Sequence, residues 1–219
     1  MNEAIQFHLD HEEADLDGAE TAEVLRALCG WRRILRQTGL IGRRPDRYEG
    51  YAYGNLSRRA GDPAAGSFII TGTQTSGLVE LTTADLARVL TSDVAANRVR
   101  SRGLSHPSSE TLTHAAVYGA DPDAGVVLHV HSPEIWRRAA ELALPSTDPA
   151  ATCGTPRLAL EVERVVSETR GAPGGVLVMG GHPDGVIAWG RDADRAGSRL
   201  LRSLAGAYPR TGPPSRRDS

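Results

Sequence analysis

The chain has 219 residues, 40% of them hydrophobic and 24% charged, enough for one packed domain and too apolar for a wholly disordered chain. Twenty-five basic against twenty-seven acidic side chains leave a formal charge of −2, so no net field draws the protein to nucleic acid or to an anionic membrane. No run of about 18 apolar residues is present to span a bilayer, and the acidic start lacks the basic-then-apolar order of a secretory signal, which points to the cytoplasm. Cys29 and Cys153 are the only cysteines and show no CxxC spacing; both read as small buried hydrophobes.

In chain order, residues 1–20 are rich in Asp and Glu with little apolar periodicity, and read as an acidic N-terminal arm. From Thr21, the positions Val24, Leu25, Leu28, Trp31, Ile34 and Leu35 recur at helical spacing until Gly39. Tyr51–Ser57 and Ser67–Thr71 read as strands, and Thr82–Leu90 as a helix opened by a threonine cap with Asp85 in its first turn. Ser108 is positioned to cap a helix carrying Glu110, His114 and Tyr118, which Gly119 and Asp121-Pro122 close. Gly125–His131 follows as a strand, Glu134–Leu142 as a helix and Pro156–Thr169 as a helix after Thr155. Val176–Met179 and Val186–Trp189 read as strands around the turn from Gly180 to Gly185, and Arg191–Tyr208 as the last long helix. The Pro-, Ser- and Arg-rich tail, residues 209–219, reads as disordered, leaving residues 21–208 as the main domain.

The first chemical signal is His129-Val130-His131 in an apolar strand. Residues i and i+2 project from one face, so two imidazoles can be aimed at one point. On spacing alone this is equally a metal clamp or a pair of histidines satisfied by backbone carbonyls. His182, in a glycine-rich turn after another apolar strand, offers a third imidazole. Three ligands with an open position are the pattern of catalytic zinc, and neutral imidazoles also suit Mn, Fe or Co. Pro107-Ser108-Ser109-Glu110 places two hydroxyls and a carboxylate at a helix start, where free N–H groups favour an anion; simple capping accounts for them as well.

Taken together, Gly54-Asn55-Leu56-Ser57, then Pro107-Ser108-Ser109-Glu110 with His114 and Tyr118, then His129-Val130-His131-Ser132-Pro133, then Gly181-His182 with Gly185, resemble the class II aldolase/adducin family in order and spacing over roughly residues 21–208. The resemblance implies an α/β fold with three α/β/α layers and a mostly antiparallel central sheet. It also implies a homotetramer with active sites at subunit boundaries. His129, His131 and His182 correspond to the family's metal ligands, holding one divalent ion, zinc by preference. Glu110 corresponds to its catalytic acid/base, and Asn55, Ser108 and Ser109 to phosphate or substrate contacts.

The phosphate loop departs from the family's Pro-(Ser/Thr)-Gly turn, reading Gly72-Thr73-Gln74-Thr75-Ser76-Gly77. Either Thr73 supplies the phosphate-binding hydroxyl, or the Ser76-Gly77 pair does with the loop shifted. His114 and Tyr118 read as packing beneath the pocket, His106 as a surface loop residue, and Trp136 and Trp189 as core aromatics. Tyr208 is a candidate proton donor by position alone. The expected reaction is metal-dependent aldol or retro-aldol cleavage of a small, phosphorylated hydroxycarbonyl compound through a metal-stabilised enediolate. Dehydration, epimerisation, decarboxylation on the same site and a non-catalytic adducin-like scaffold are the alternatives.

Overall fold

The computed structural model describes residues 6–61, 66–169 and 174–208; the start of the acidic arm and the tail after Tyr208 lie outside them. One eight-stranded sheet organises the chain. Its strands are β1 (His8–Glu13), β4 (Asn55–Arg59), β5 (Phe68–Thr71), β6 (Leu86–Asp93), β7 (Arg98–Gly103), β8 (Val126–His131), β9 (Gly175–Val178) and β10 (Gly185–Gly190). Two short strands, β2 (Gly42–Arg43) and β3 (Ala52–Tyr53), pair separately. The main order is β1-β7-β6-β5-β4-β8-β10-β9. The sheet is mixed: β1 runs parallel to β7 at one edge, and the remaining neighbours are antiparallel.

Among the described residues five α-helices cover the two faces: α1 (Ala19–Gln37), α2 (Thr111–Ala120), α3 (Pro133–Arg137), α4 (Pro156–Glu168) and α5 (Ala193–Ala207). Helices α1, α3 and α5 pack on one face with Leu56, Leu128, Val130, Val186 and Ala188. Helices α2 and α4 pack on the other with Phe68, Ile70, Val127 and Ile187. This alternation is the period of two along a strand with both faces covered. It decides the chemistry: with Val126, Leu128 and Val130 committed to the α1/α5 side, His129 and His131 fall on the face of Val127, toward α2.

Several boundaries differ from the sequence-based expectation. Residues 8–13 are an edge strand and not a free arm. Leu9 packs on the core, and the His11 ring lies 2.8 Å from Ser101 Oγ and 3.0 Å from the Gly103 carbonyl. Thr82–Leu90 is not a helix: Thr82 and Asp85 form a reciprocal capping box around a single 3-10 turn, after which β6 begins at Leu86. Ala87 and Val89 then face the core while Arg88 stays half-exposed, as a strand requires. Glu110 occupies the N-cap position of α2 instead of lying inside its first turn. The helix after Ser132 ends at Arg137, where Arg138 leaves the helical conformation, and continues only as turns. Both cysteines are exposed, not buried.

Candidate metal and acid–base site

Strand β8 brings His129 and His131 to one face, and the turn between β9 and β10 brings the third ring to them. His182 donates its N–H to the Met179 carbonyl, and Gly185 donates back to His182, closing a tight turn through Asp184 at φ 66°. Gly185 lies opposite His131 in the β8–β10 register, and a Cβ there would sit 2.9 Å from His182 Cδ2. Only a glycine leaves room for that ring.

The three ring centroids are 4.9–5.2 Å apart, and one nitrogen from each ring falls within 4.8 Å of the others. His131 Nε2 and His182 Nε2 are 3.1 Å apart. Two nitrogen ligands on a tetrahedral zinc, each about 2.0–2.1 Å from the ion, stand about 3.3 Å apart, so this spacing fits a shared cation. The Nδ1 atoms of all three rings are buried with no hydrogen-bond partner. Burial lowers the pKa of His129 to about 4 and carries His131 well below its ordinary value, which keeps both imidazoles neutral and able to ligate. A divalent metal fits these residues.

Glu110 arrives from the start of α2. Its Oε1 lies 3.6 Å from His182 Nδ1, too far for a hydrogen bond, while Thr113 Oγ1 donates to Oε2 at 2.7 Å. Burial pushes this carboxyl up, but His182, His129 and the hydrogen bonds from Thr113 and Cys153 outweigh it and hold the group below its ordinary range. Asn55 pairs directly with His129 across β4 and β8, is buried, and leaves Oδ1 unpartnered.

A cleft of about 480 Å³ opens over these groups, and Asn55, Thr73, Ser108, Ser109, Glu110 and the three histidines all line it. The loop from Gly72 to Gly77 forms one wall. Arg32, buried in α1, donates to the carbonyls of Thr75, Leu78 and Val79 and so fixes that loop from behind. Gln74 adopts φ 61°, and its Oε1 accepts from the Ala52 N–H at 2.9 Å, so its carbonyl is committed to the backbone.

His114 and Tyr118 lie beneath the site, bridged by Ser57: His114 Nδ1 is 2.6 Å and Tyr118 Oη 2.8 Å from its hydroxyl. Trp189 is buried, Trp136 half-buried, His106 exposed, and Tyr208 exposed at the end of α5 and outside the cleft.

Sequence reasoning missed Cys153, Tyr48 and Tyr53, all on the cleft wall. Tyr48 stands edge-on to His131 at 4.5 Å, and its hydroxyl donates to Asp184 at 2.7 Å, tying the wall to the His182 turn. Tyr48 and Glu49 both have positive φ, 49° and 55°. Such conformations cost about 1–3 kcal/mol each and persist where surrounding contacts enforce them. Two consecutive left-handed residues without glycine carry no local sequence signal.

The chain belongs to the Class II Aldolase and Adducin N-terminal domain family, which it matches over residues 46–202. It is 33% identical over 189 residues to a Nocardia farcinica protein named as a probable bifunctional methylthioribose-1-phosphate isomerase/methylthioribulose-1-phosphate dehydratase, covering 73% of this chain and 32% of that one. It is 40% identical over 105 residues to the methylthioribulose-1-phosphate dehydratase of Gluconacetobacter diazotrophicus, covering 47% of this chain and 46% of that one. The chain thus spans less than half the length of either curated relative. Among solved structures, an L-fuculose 1-phosphate aldolase superposes with a TM-score of 0.62 at 19% identity, over 85% of this chain and 83% of that one. A sugar-phosphate aldolase from Thermotoga maritima gives 0.65 at 15%, over 86% and 94%. These two share the fold.

Proposed function

We propose that this chain is a metal-dependent lyase that removes water from a phosphorylated ketose of the methylthioribulose-1-phosphate type. The observation that carries the reading is the identity to two proteins named for that dehydration, one of them matched across 73% of this chain. Aldol cleavage, the leading expectation from the sequence, would use the same residues. Its support lies in structures of 15–19% identity, which speak for the fold.

Loss of water next to a ketone needs a base for the proton on the carbon beside the carbonyl, and an acid for the departing hydroxyl. Glu110 is proposed for both: it takes the C–H proton, the electron pair forms the carbon–carbon double bond, and the hydroxyl leaves with a proton as water. The enol so formed then tautomerises to a ketone. Held on His129, His131 and His182, a divalent ion, zinc by preference, would supply positive charge at the substrate's carbonyl end.

A phosphate is proposed to lie against Ser108, Ser109, Thr73 and Asn55, near the start of α2. Among the described residues no arginine lines the cleft, so hydroxyl, amide and backbone N–H donors would replace a cationic clamp. We also propose that copies of the chain assemble, as a tetramer in the simplest case, over the exposed Leu78 and Val79 that continue the phosphate loop. The test is incubation of metal-loaded protein with a panel of ketose 1-phosphates. A product lighter by one water supports the proposal, release of an aldehyde fragment would replace it with aldol cleavage, and an unchanged panel would overturn it.

A further inference from the structure

We propose that Cys153 is a positioning residue for Glu110, its thiol hydrogen aimed at Oε1 while Thr113 holds Oε2, so that the carboxylate keeps one orientation beside His182. The thiol lines the cleft, and its Sγ lies 3.4 Å from Oε1. With Thr113 Oγ1 at 2.7 Å on the other oxygen, both acceptor atoms are engaged from opposite partners. A carboxylate rotates freely about its terminal torsion unless both oxygens are held.

The placement of Cys153 is built into the fold. The Cys153 N–H donates to the Gly181 carbonyl at 3.3 Å, and a Cβ on Gly181 would lie 1.9 Å from the Ala151 carbonyl oxygen. The segment from Ala151 to Cys153 is therefore seated directly on the turn that presents His182. One docking contact sets the thiol and the third imidazole relative to each other, and the carboxylate meets the thiol from the start of α2. Cys153 is exposed as a residue, but its sulfur end is partly buried against Glu110, and that local burial together with the carboxylate pushes the thiol above its ordinary pKa, so its hydrogen remains on sulfur as a donor. Cys29 offers a comparison, an exposed thiol that donates to a neutral acceptor, the Arg26 carbonyl, at the same 3.4 Å, whereas Cys153 meets a carboxylate, the stronger acceptor.

The inference rests on Glu110 as the proton-carrying group, and two measurements separate its failure from failure of that reading. The first is the infrared S–H stretch, which requires no substrate. In the Cys29→Ser protein the Cys153 band is expected at lower frequency than the Cys29 band of the Cys153→Ser protein, and to move up in Glu110→Gln. No movement of the Cys153 band in Glu110→Gln would overturn the hydrogen bond to the carboxylate whatever the reaction is. The second is kinetic, with metal content measured alongside. Cys153→Ala is expected to lower kcat ~10-fold with KM and bound metal unchanged, while Cys153→Ser, which keeps a donor, restores most of it. Equal activity in both variants, or a loss that follows metal content, would overturn the positioning role.

Discussion

Gly185 lies opposite His131 across the β8–β10 pair, and the ring of His182 fills the space above it. The position of the third imidazole thus depends on one missing side chain. Gly185→Ala is expected to displace the His182 ring and weaken divalent-metal affinity about 10–100-fold, the range seen when groups supporting metal ligands are lost. The unfolding transition of the metal-free protein should move far less. Competition titration with a chromogenic chelator measures the first quantity and thermal melting the second; unchanged affinity would contradict the crowding argument.

Metal and fold should be coupled. An ion that binds the folded chain and not the unfolded one stabilises by about 2.7 kcal/mol when free metal is a hundredfold above Kd. Chelator treatment is expected to lower Tm in the native protein and to lower it by less in His182→Ala, which retains two of the three imidazoles and holds zinc more weakly. An equal chelator response in both proteins would remove His182 from the site.

His114 sets a pH dependence from outside the three-histidine cluster, although His129 adds to its shift. Burial carries its folded pKa down to about 3 from 6.5. Below 6.5 the unfolded chain therefore takes up a proton that the folded chain refuses. Stability is complete above 6.5 and falls as pH drops through that value toward 3, with a slope from this one group of at most about 1.4 kcal/mol per pH unit. His114→Gln should make the acid limb shallower by about one proton. Urea unfolding at a series of pH values measures the slope, and an unchanged slope would show that another group drives the loss.

Arg32 tests the cleft wall formed by residues 72–79. Its guanidinium reaches three carbonyls of residues 75–79 from a buried position, a fan that an ammonium cannot reproduce. Arg32→Lys is expected to cost about 2 kcal/mol, in line with hydrogen bonds from charged donors. Amide exchange over residues 72–79 should rise while exchange in β8 stays slow. Uniformly faster exchange would show that Arg32 supports the whole fold and not this loop.

The part of the site that lies on regular structure was legible in the sequence. An HxH pair in an apolar strand must share a face, and a histidine bracketed by glycines after a second apolar strand marks a turn that can bring its ring close. What escaped depends on contacts far apart along the chain. The Thr82–Asp85 capping box resembles a helix start, and only pairing with β5 and β7 makes the next residues a strand. Strand β1 is acidic because it is an edge strand whose partner β7 carries arginines, as in the exposed Asp10–Arg100 pair. Cys153 reaches Glu110 only because its segment docks on Gly181, and nothing near residue 153 announces that contact.

His129, His131 and His182 are proposed to share one divalent ion. X-ray absorption at the metal edge of zinc-loaded protein tests it most directly. Three nitrogen scatterers at about 2.0–2.1 Å are expected, one fewer in His182→Ala, with no sulfur. A sulfur scatterer at about 2.3 Å would place Cys153 in the coordination sphere instead of on Glu110, and an undiminished nitrogen count in His182→Ala would contradict the three-histidine site.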